Sequence, residues 1–322
     1  MRATTPSRRQ GPLPRCPIQP PHQRTVPTPA AAGGGPWPLL LSGMALLSGL
    51  GIGLWLGLAA GLLAGAAAWV AGSLLGRRRG EPRDFRDADA VEAATDLVVL
   101  AALPELPDGA HAMEQVLRDP ASMLAADLRA VHAALLSIHP AGHPLTVAIG
   151  SAEKGEGRSL LAATLGRLLA SEGQRVLLID ADWCRPGQHA LFAMSPAPGL
   201  AELLSSHPPG LDEVIRTDPV SGLDLILVGR GRFSARALLS ARMKALLADL
   251  SGGYDLLLLD LPPLLDASDA TLVAGMMDRV LYAIRWRYTR RGRTLGTLTR
   301  LRKARGRVAG IVLTRVGTAE AP

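Results

Sequence analysis

Residues 145–171, LTVAIGSAEKGEGRSLLAATLGRLLAS, contain in order an apolar strand-like run, a glycine-bearing loop and a segment with helical spacing. The apolar run covers 145–150, and the helical spacing covers 159–171. The N–H groups of such a loop and the positive end of the following helix dipole can together bind a phosphate group. This stretch therefore predicts a phosphate-binding loop between a buried strand and a helix.

The loop departs from the pattern G-x-x-x-x-G-K-[ST] at two places. When Ser159 takes the last position, Ala152 stands where the first glycine belongs and Arg158 stands at the lysine. The part of the pattern that is present is Gly155-Glu156-Gly157-Arg158-Ser159. Taken alone, the loop leaves an ordinary glycine-rich turn as the alternative.

Further apolar runs alternate with helical patterns after this loop. They read RVLLID (175–180), LDLILVG (223–229), YDLLLLD (254–260), RVLYAIRW (279–286) and RVAGIVLTRV (307–316). Near-continuous apolar strands of this kind are typical of parallel sheets covered by helices on both faces. We therefore predict an α/β fold with a doubly wound, mostly parallel sheet, whose ligand binds at the carboxyl ends of the strands.

Acidic residues end two of these predicted strands. Asp180 ends one, with Asp182 two residues later, and Asp260 ends another. A buried carboxylate is costly unless it meets a cation or a proton donor. We therefore expect a metal site for Mg²⁺ formed by Asp180, Asp260 and the hydroxyl of Ser159. Helix capping by Asp182 or Asp269 is the alternative for a single acid, but it does not account for the set.

The N-terminal part of the chain has a different composition. We predict a Pro/Arg-rich tail at 1–37, a transmembrane segment at 38–76, a connector at 77–144 and the α/β domain at 145–317. No charged residue occurs over 38–75, and this run would extend ~57 Å as one helix, about twice the ~30 Å hydrocarbon core. Because arginines flank both sides, a hairpin with both ends in the cytoplasm is favoured over one tilted span with an exported tail.

The net charge of +7 and an arginine-rich segment near residues 285–307 indicate an anionic partner. No groove-reading motif accompanies the arginines, so we expect contact with inner-membrane lipid and no nucleic acid, with a plain solvated face as the alternative to lipid contact. The seven histidines form no ligand cluster in the sequence, which argues against a transition-metal site.

Three separated segments resemble the bacterial tyrosine kinases of capsule and exopolysaccharide export. The segments are 150–189, 236–270 and 307–316, and the resemblance covers about 85–316. It implies a P-loop NTPase domain of the deviant Walker A type, related to partition and septum-site ATPases, with a membrane anchor. It also implies a place at the bacterial inner membrane, with the catalytic domain in the cytoplasm, ATP and Mg²⁺ as cofactors, and an export or polymerase complex as partner.

The resemblance assigns roles to residues of this sequence. Gly155, Gly157, Arg158 and Ser159 would form the Walker A loop, and Asp260 would be the Walker B carboxylate. Asp180 and Asp182 would assist Mg²⁺ binding and activate the incoming tyrosine hydroxyl. The residues expected to bind the nucleotide are Glu153, Lys154, Gly155, Glu156, Gly157, Arg158, Ser159 and Leu160. The residues expected to act in catalysis are Arg158, Asp180, Asp182 and Asp260.

The sequence departs from the family pattern in several places. Arg158 keeps the charge of the usual lysine, but it is longer and forked, so we expect nucleotide binding with slowed transfer. The family's self-association helix, Glu-x-x-Arg-x-x-Arg, keeps only Arg129, although a homo-oligomer stays among the expected partners. Thr314 stands where related ATPases often have an asparagine, and the family's tyrosine-rich tail has no counterpart in "TRVGTAEAP".

The expected function is that of an ATP-dependent tyrosine-kinase-like enzyme of exopolysaccharide biosynthesis and export. One alternative is a nucleotide sensor that regulates the export complex without catalysis. A second is a partition-type membrane ATPase, which Glu153 disfavours because it stands at that group's signature lysine.

Overall fold

The structure, a computed structural model, describes residues 84–85, 87–105, 109–140, 143–231 and 233–317. Its strands are β1 Val99–Pro104, β2 Leu145–Ser151, β3 Val176–Asp180, β4 Arg216–Thr217, β5 Asp224–Ile226, β6 Leu256–Asp260, β7 Arg279–Arg285 and β8 Val308–Val316. They form one sheet in the order β1-β8-β7-β2-β6-β3-β5-β4. All neighbouring pairs are parallel except β4 with β5.

Helices cover both faces of this sheet. They are α1 Ala88–Thr95, α2 Gly109–Arg118, α3 Met123–Ser137, α4 Arg158–Ser171, α5 Gln188–Leu191, α6 Leu200–Leu203, α7 Leu211–Val214, α8 Ala235–Leu238, α9 Ala241–Ser251, α10 Ala270–Ala274 and α11 Arg291–Lys303. One apolar core lies between the sheet and α2, α3 and α4. The other lies between the opposite face and α1, α9, α10 and α11. The predicted doubly wound, mostly parallel α/β fold is therefore confirmed.

The central strands are buried along their whole length. Every residue of β3 and of β6 is buried, which explains why their sequences are uninterrupted runs of Leu, Ile and Val before the terminal acid. The strand predicted at 223–229 is shorter in the structure, where β5 has only three residues.

The segment predicted as a connector also contributes to the sheet. β1 pairs in parallel with β8, with Val99 opposite Ile311. Its burial alternates between half-buried and buried positions, as expected for an edge strand, and its apolar run is closely followed by Pro104 and Pro107, which favour a loop. The α/β fold thus includes residues on the N-terminal side of 145.

The predicted membrane segment at 38–76 and the tail at 1–37 lie outside the described residues. In the part of the chain that is described, no helix combines the length and the apolar character that a membrane crossing requires.

Candidate functional site

The loop between β2 and α4 has the backbone geometry of an anion site. Gly155 and Gly157 have φ of 76° and 82°, in the left-handed region that other residues rarely adopt. Gly157 is the N-cap residue of α4 and has no side chain to bond the first amides of the helix. A Cβ at this position would lie 3.3 Å from the side chain of Thr314. The first turn of α4 therefore presents N–H groups that an anion can accept.

The predicted strand-end acids meet beside this loop. Asp180 and Asp260 are direct neighbours in the register of β3 and β6, and Asp260 is level with Ile149 of β2. Asp180, Asp182 and Asp260 are each at most 1% exposed. Because parallel strands end at the same edge, the sheet brings all three carboxylates to the start of α4.

Burial and mutual repulsion keep two of these acids unusually basic. Burial, then the charges of Asp260 and Asp182, raises the pKa of Asp180 well above its ordinary value. Burial also raises the pKa of Asp260, to about 6, although the charge of Arg158 and polar contacts from Ser159 and Gln188 oppose it. Shifts of this kind cluster at functional sites.

Arg158 points into the acidic cluster. Its Nη2 lies 3.2 Å from Oδ2 of Asp182, and both side chains are almost completely buried. Its Nη1 donates to Oγ of Ser151 at 3.4 Å. Asp182 is fixed in turn by the backbone N–H groups of Cys184 and Arg185, which donate to its Oδ1 at 3.0 and 2.8 Å. The arginine at the lysine position therefore forms a buried ion pair with one of the acids.

Ser159 lies between the loop and the acids. Its side chain is one of the groups that lower the pKa of Asp260. A Cβ added at Gly187 would lie 3.7 Å from its Oγ, so the loop after β3 passes close to this hydroxyl. The structure thus brings together the three residues predicted to bind a metal, Ser159, Asp180 and Asp260.

Two glutamates of the loop contact the segment that runs from the end of β7 into the first turn of α11. Glu156 is buried, accepts the backbone N–H of Glu153 at 2.8 Å and accepts the hydroxyl of Thr289. Burial raises the pKa of Glu156 to about 7, against the opposing hydrogen bonds and the charge of Arg158. Glu153 forms an ion pair with Arg293, whereas Lys154 is exposed.

Leu160 lines a cavity of about 200 Å³ beside the loop, at the carboxyl ends of β1 and β8. Apolar side chains of β1, α3 and α4 form part of its wall, and Glu105, Thr314 and Arg315 add polar atoms. Thr314 also donates its hydroxyl to the carbonyl of Glu156 at 2.9 Å, which joins β8 to the loop. The cavity therefore adjoins the phosphate-binding segment directly.

Two residues of this site have no signal in the sequence. Gln188, the first residue of α5, is fully buried and bonds both strand-end acids. Thr289 is buried against Glu156. Neither residue belongs to a motif, and only their placement in the fold identifies them.

The acids do not form a complete metal centre by themselves. Over the described ranges, no group of three His, Cys, Asp or Glu side chains is arranged to hold a metal ion. Oδ1 of Asp260 is buried and has no hydrogen-bond partner there. One carboxylate oxygen of Asp260 is thus left without a bonding group among the described residues.

Comparison with known proteins identifies relatives of this domain. The chain is 34% identical over 187 residues to the putative tyrosine-protein kinase EpsB of Ralstonia solanacearum, which covers 58% of this chain and 25% of that protein. It is 34% identical over 161 residues to the succinoglycan biosynthesis transport protein ExoP of Rhizobium meliloti, covering 48% and 19%. The chain thus spans about a quarter or less of the length of these relatives. It matches no protein-family model.

A solved structure gives the same result. The kinase domain of the Escherichia coli tyrosine kinase ETK superimposes with a TM-score of 0.64 and 25% identity, covering 73% of this chain and 96% of that domain. The relatives and this structure agree with the motifs that suggested the resemblance. The α/β domain of this chain is therefore similar in sequence and in fold to the kinase domains of bacterial tyrosine kinases.

Proposed function

We propose that this chain is a membrane-tethered, Mg²⁺-dependent protein-tyrosine kinase of exopolysaccharide biosynthesis and export. The observation that carries the proposal is the convergence of three buried carboxylates, two at the ends of β3 and β6 and one just after β3, on the glycine loop before α4. A glycine loop alone would be compatible with any phosphate ligand. The acids add the negative charge that binds the metal ion of a metal–triphosphate complex.

The nucleotide would lie along the loop from 153 to 160. The amides of Gly155, Gly157 and the first turn of α4 would bond the phosphates. The base would enter the cavity lined by Leu160 and Thr314, which adjoins Gly157. A cavity of about 200 Å³ with a mixed apolar and polar lining suits a planar heterocycle.

The donor set fits Mg²⁺. Hard oxygen ligands are what this ion prefers, and it retains several waters when it binds beside phosphates. Ser159 and Asp260 would hold it, with Asp180 acting in the same cluster, and the unpartnered Oδ1 of Asp260 supports this assignment. When bound, the ion would neutralise charge that develops on the phosphate oxygens.

The transfer of phosphate requires only ATP and the tyrosine as reactants. The tyrosine oxygen attacks the γ-phosphorus of ATP, the bond from that phosphorus to the β–γ bridging oxygen breaks, and ADP leaves. The phenolic proton passes to the Asp180–Asp182 pair, where the raised pKa of Asp180 makes it a stronger base than an ordinary aspartate.

Arg158 is expected to slow this reaction without preventing nucleotide binding. Its positive charge is retained at the lysine position, but its guanidinium is shared with Asp182. A forked, planar cation cannot reproduce the contacts of a compact ammonium ion on the phosphates.

The membrane tether is proposed from the sequence, and the polysaccharide pathway is proposed from the relatives. Residues 38–76 would cross the inner membrane, 1–37 would form a tail and 77–144 would lead into the domain, which would lie in the cytoplasm. The relative ExoP is a succinoglycan biosynthesis transport protein, which supports a polysaccharide export complex as partner. The basic segment near 285–307 supports contact with anionic lipid, and a homo-oligomer is a further partner to test.

A second candidate is a nucleotide sensor that regulates the export complex without transferring phosphate. The buried ion pair between Arg158 and Asp182 favours this candidate. It occupies a residue of the glycine loop and a residue of the acidic motif with each other, so that neither is free for catalysis. This candidate predicts Mg²⁺-dependent ATP binding with no phosphotyrosine.

The test is to incubate the purified chain with γ-labelled ATP, Mg²⁺ and a glutamate–tyrosine copolymer and to measure phosphotyrosine. Asp260→Asn is the inactive control. Among the tyrosines, Tyr282 is buried, Tyr254 bonds Asp224 and Tyr288 is 51% exposed, so Tyr288→Phe controls for self-labelling. Label on the copolymer that Asp260→Asn abolishes supports the kinase, whereas binding without label selects the sensor.

A further inference from the structure

Gln188 connects the three elements that form the candidate site. It is the first residue of the short helix α5, it is fully buried, and its backbone N–H donates to Oδ2 of Asp180 at 3.1 Å. Its side-chain Nε2 donates to Oδ2 of Asp260 at 2.8 Å and to the carbonyl of Ser159 at 3.0 Å. One residue thus bonds the ends of β3 and β6 and the first turn of α4.

These bonds determine which oxygen of Asp260 is left over. Nε2 of Gln188 bonds Oδ2, whereas Oδ1 of Asp260 and Oε1 of Gln188 have no partner in the described part of the chain. Leaving a buried acceptor without a donor is energetically unfavourable. These two acceptors belong to side chains that are hydrogen-bonded to each other. Their lack of donors indicates a ligand that supplies positive charge or donated hydrogen bonds to both.

A hydrated divalent cation supplies both. A cation binds a carboxylate oxygen directly, and its water molecules donate to neighbouring acceptors such as an amide oxygen. Arg158 does not serve in this way, because its Nη atoms bond Asp182 and Ser151 and its buried Nε meets no acceptor in the described residues.

We propose that Gln188 is a positioning residue for the metal–nucleotide complex. Its amide group fixes the carboxylate of Asp260 beside Ser159, leaves Oδ1 open to the cation and offers Oε1 to water bound to that cation. The inference rests on the proposed function, since it assumes that the site binds Mg²⁺ with a nucleotide. It adds a residue that belongs to neither Walker motif.

A side chain that merely fills space would be replaceable by one of equal volume. Gln188→Met keeps the length and the backbone bond to Asp180 but removes both the donor and the acceptor. Gln188→Asn keeps the amide but shortens the side chain by one methylene, so that it cannot span from α5 to Asp260. Gln115→Met is the matched control, because Oε1 of Gln115 in α2 is also buried without a partner in the described residues.

The experiment measures the dissociation constant of ADP for the full chain, once with Mg²⁺ and once with EDTA. The readout is the ratio of the two constants, together with the Tm of each ligand-free variant. We expect Gln188→Met and Gln188→Asn to reduce the ratio at least about ten-fold, while the constant in EDTA changes less than about two-fold. Gln115→Met should leave the ratio as in the wild type.

Each outcome separates this inference from the proposed function. If the wild type shows a large Mg²⁺ effect and a folded Gln188 variant shows the same ratio, the positioning role is refuted and the kinase proposal stands. If Gln188→Met has no cooperative melting transition, Gln188→Asn decides the question by the same ratio. If the wild type itself binds ADP equally with and without Mg²⁺, both the inference and the proposed function are wrong.

Discussion

Arg158 and Asp182 form a buried ion pair across the mouth of the candidate site, with Nη2 and Oδ2 3.2 Å apart. The pair places one positive charge among three carboxylates and connects the first turn of α4 to the loop after β3. An arginine in this position is therefore engaged with the protein before any phosphate arrives. Its length, which lets it reach Asp182, is the property that distinguishes it from lysine.

Arg158→Lys should raise the rate of phosphate transfer. The compact ammonium ion would release Asp182 and contact the phosphates as a point charge, and we expect turnover to rise about 5- to 10-fold, equivalent to ~1 kcal/mol in the barrier. Steady-state assay of copolymer phosphorylation gives the value. Arg175→Lys, in the exposed pair with Asp255, is the matched control and should change nothing. Equal turnover for Arg158→Lys and wild type would refute this role for the arginine.

The affinity for nucleotide should depend on pH through Glu156. Burial raises the pKa of this carboxyl to about 7, so it is mostly neutral at pH 6 and mostly ionised at pH 8. An ionised carboxylate inside the loop repels the phosphates, and the affinity of the wild type should fall as the pH rises through 7.

Glu156→Gln removes the titrating group, so the ratio of wild-type to variant affinity should decrease from pH 6 to pH 8. Taking this ratio cancels the ionisation of the nucleotide itself. Isothermal titration calorimetry at the two pH values measures it. A ratio independent of pH would contradict the assignment.

The buried pair between Arg167 and Asp218 should contribute to stability far more than the exposed pair between Arg175 and Asp255. Arg167 contacts Asp218 through Nε at 2.8 Å and through Nη2 at 3.0 Å, whereas the Arg175 and Asp255 side chains are 61% and 42% exposed. We expect Asp218→Asn to lower the free energy of unfolding by ~3 kcal/mol at pH 7. Asp255→Asn should lower it by less than ~1 kcal/mol. Urea denaturation measures both.

The effect of Asp218→Asn should also depend on pH. Burial alone raises the pKa of Asp218, but hydrogen bonds from Arg167 and Ser221 and the charge of Arg167 outweigh it, so the pKa lies below its ordinary value. A lowered pKa in the folded state stabilises the protein above the unfolded value of ~4, and this contribution is lost as the pH falls through the folded pKa. The difference in stability between wild type and variant should therefore shrink as the pH falls below about 4. A constant difference down to pH 2 would be inconsistent with this account.

The sequence predicts the centre of the fold better than its edge. β6 is buried throughout, so its leucines form an unbroken run that ends at Asp260. β1 lies at the edge, where alternate residues face partly outward, and its sequence resembles a loop because Pro104 and Pro107 follow the apolar run. The prolines thus concealed an edge strand, which is identified only by its pairing with β8.

The candidate site divides in a similar way. The acids at strand ends were predicted because the topology of a parallel sheet brings its carboxyl ends together, and the structure brings Asp180 and Asp260 side by side. The direction of the Arg158 side chain and the contacts of Gln188 could not be predicted. Both depend on the path of the loop after β3, which no local pattern specifies.

The most direct test of the account is the binding of ATP to the purified chain with and without Mg²⁺, for wild type and Asp260→Asn. We predict that Mg²⁺ tightens binding to the wild type at least about ten-fold and that Asp260→Asn loses this gain, because the carboxylate beside Ser159 is the group that holds the ion. Failure of the wild type to bind ATP, or a gain from Mg²⁺ that survives Asp260→Asn, would contradict the central claim.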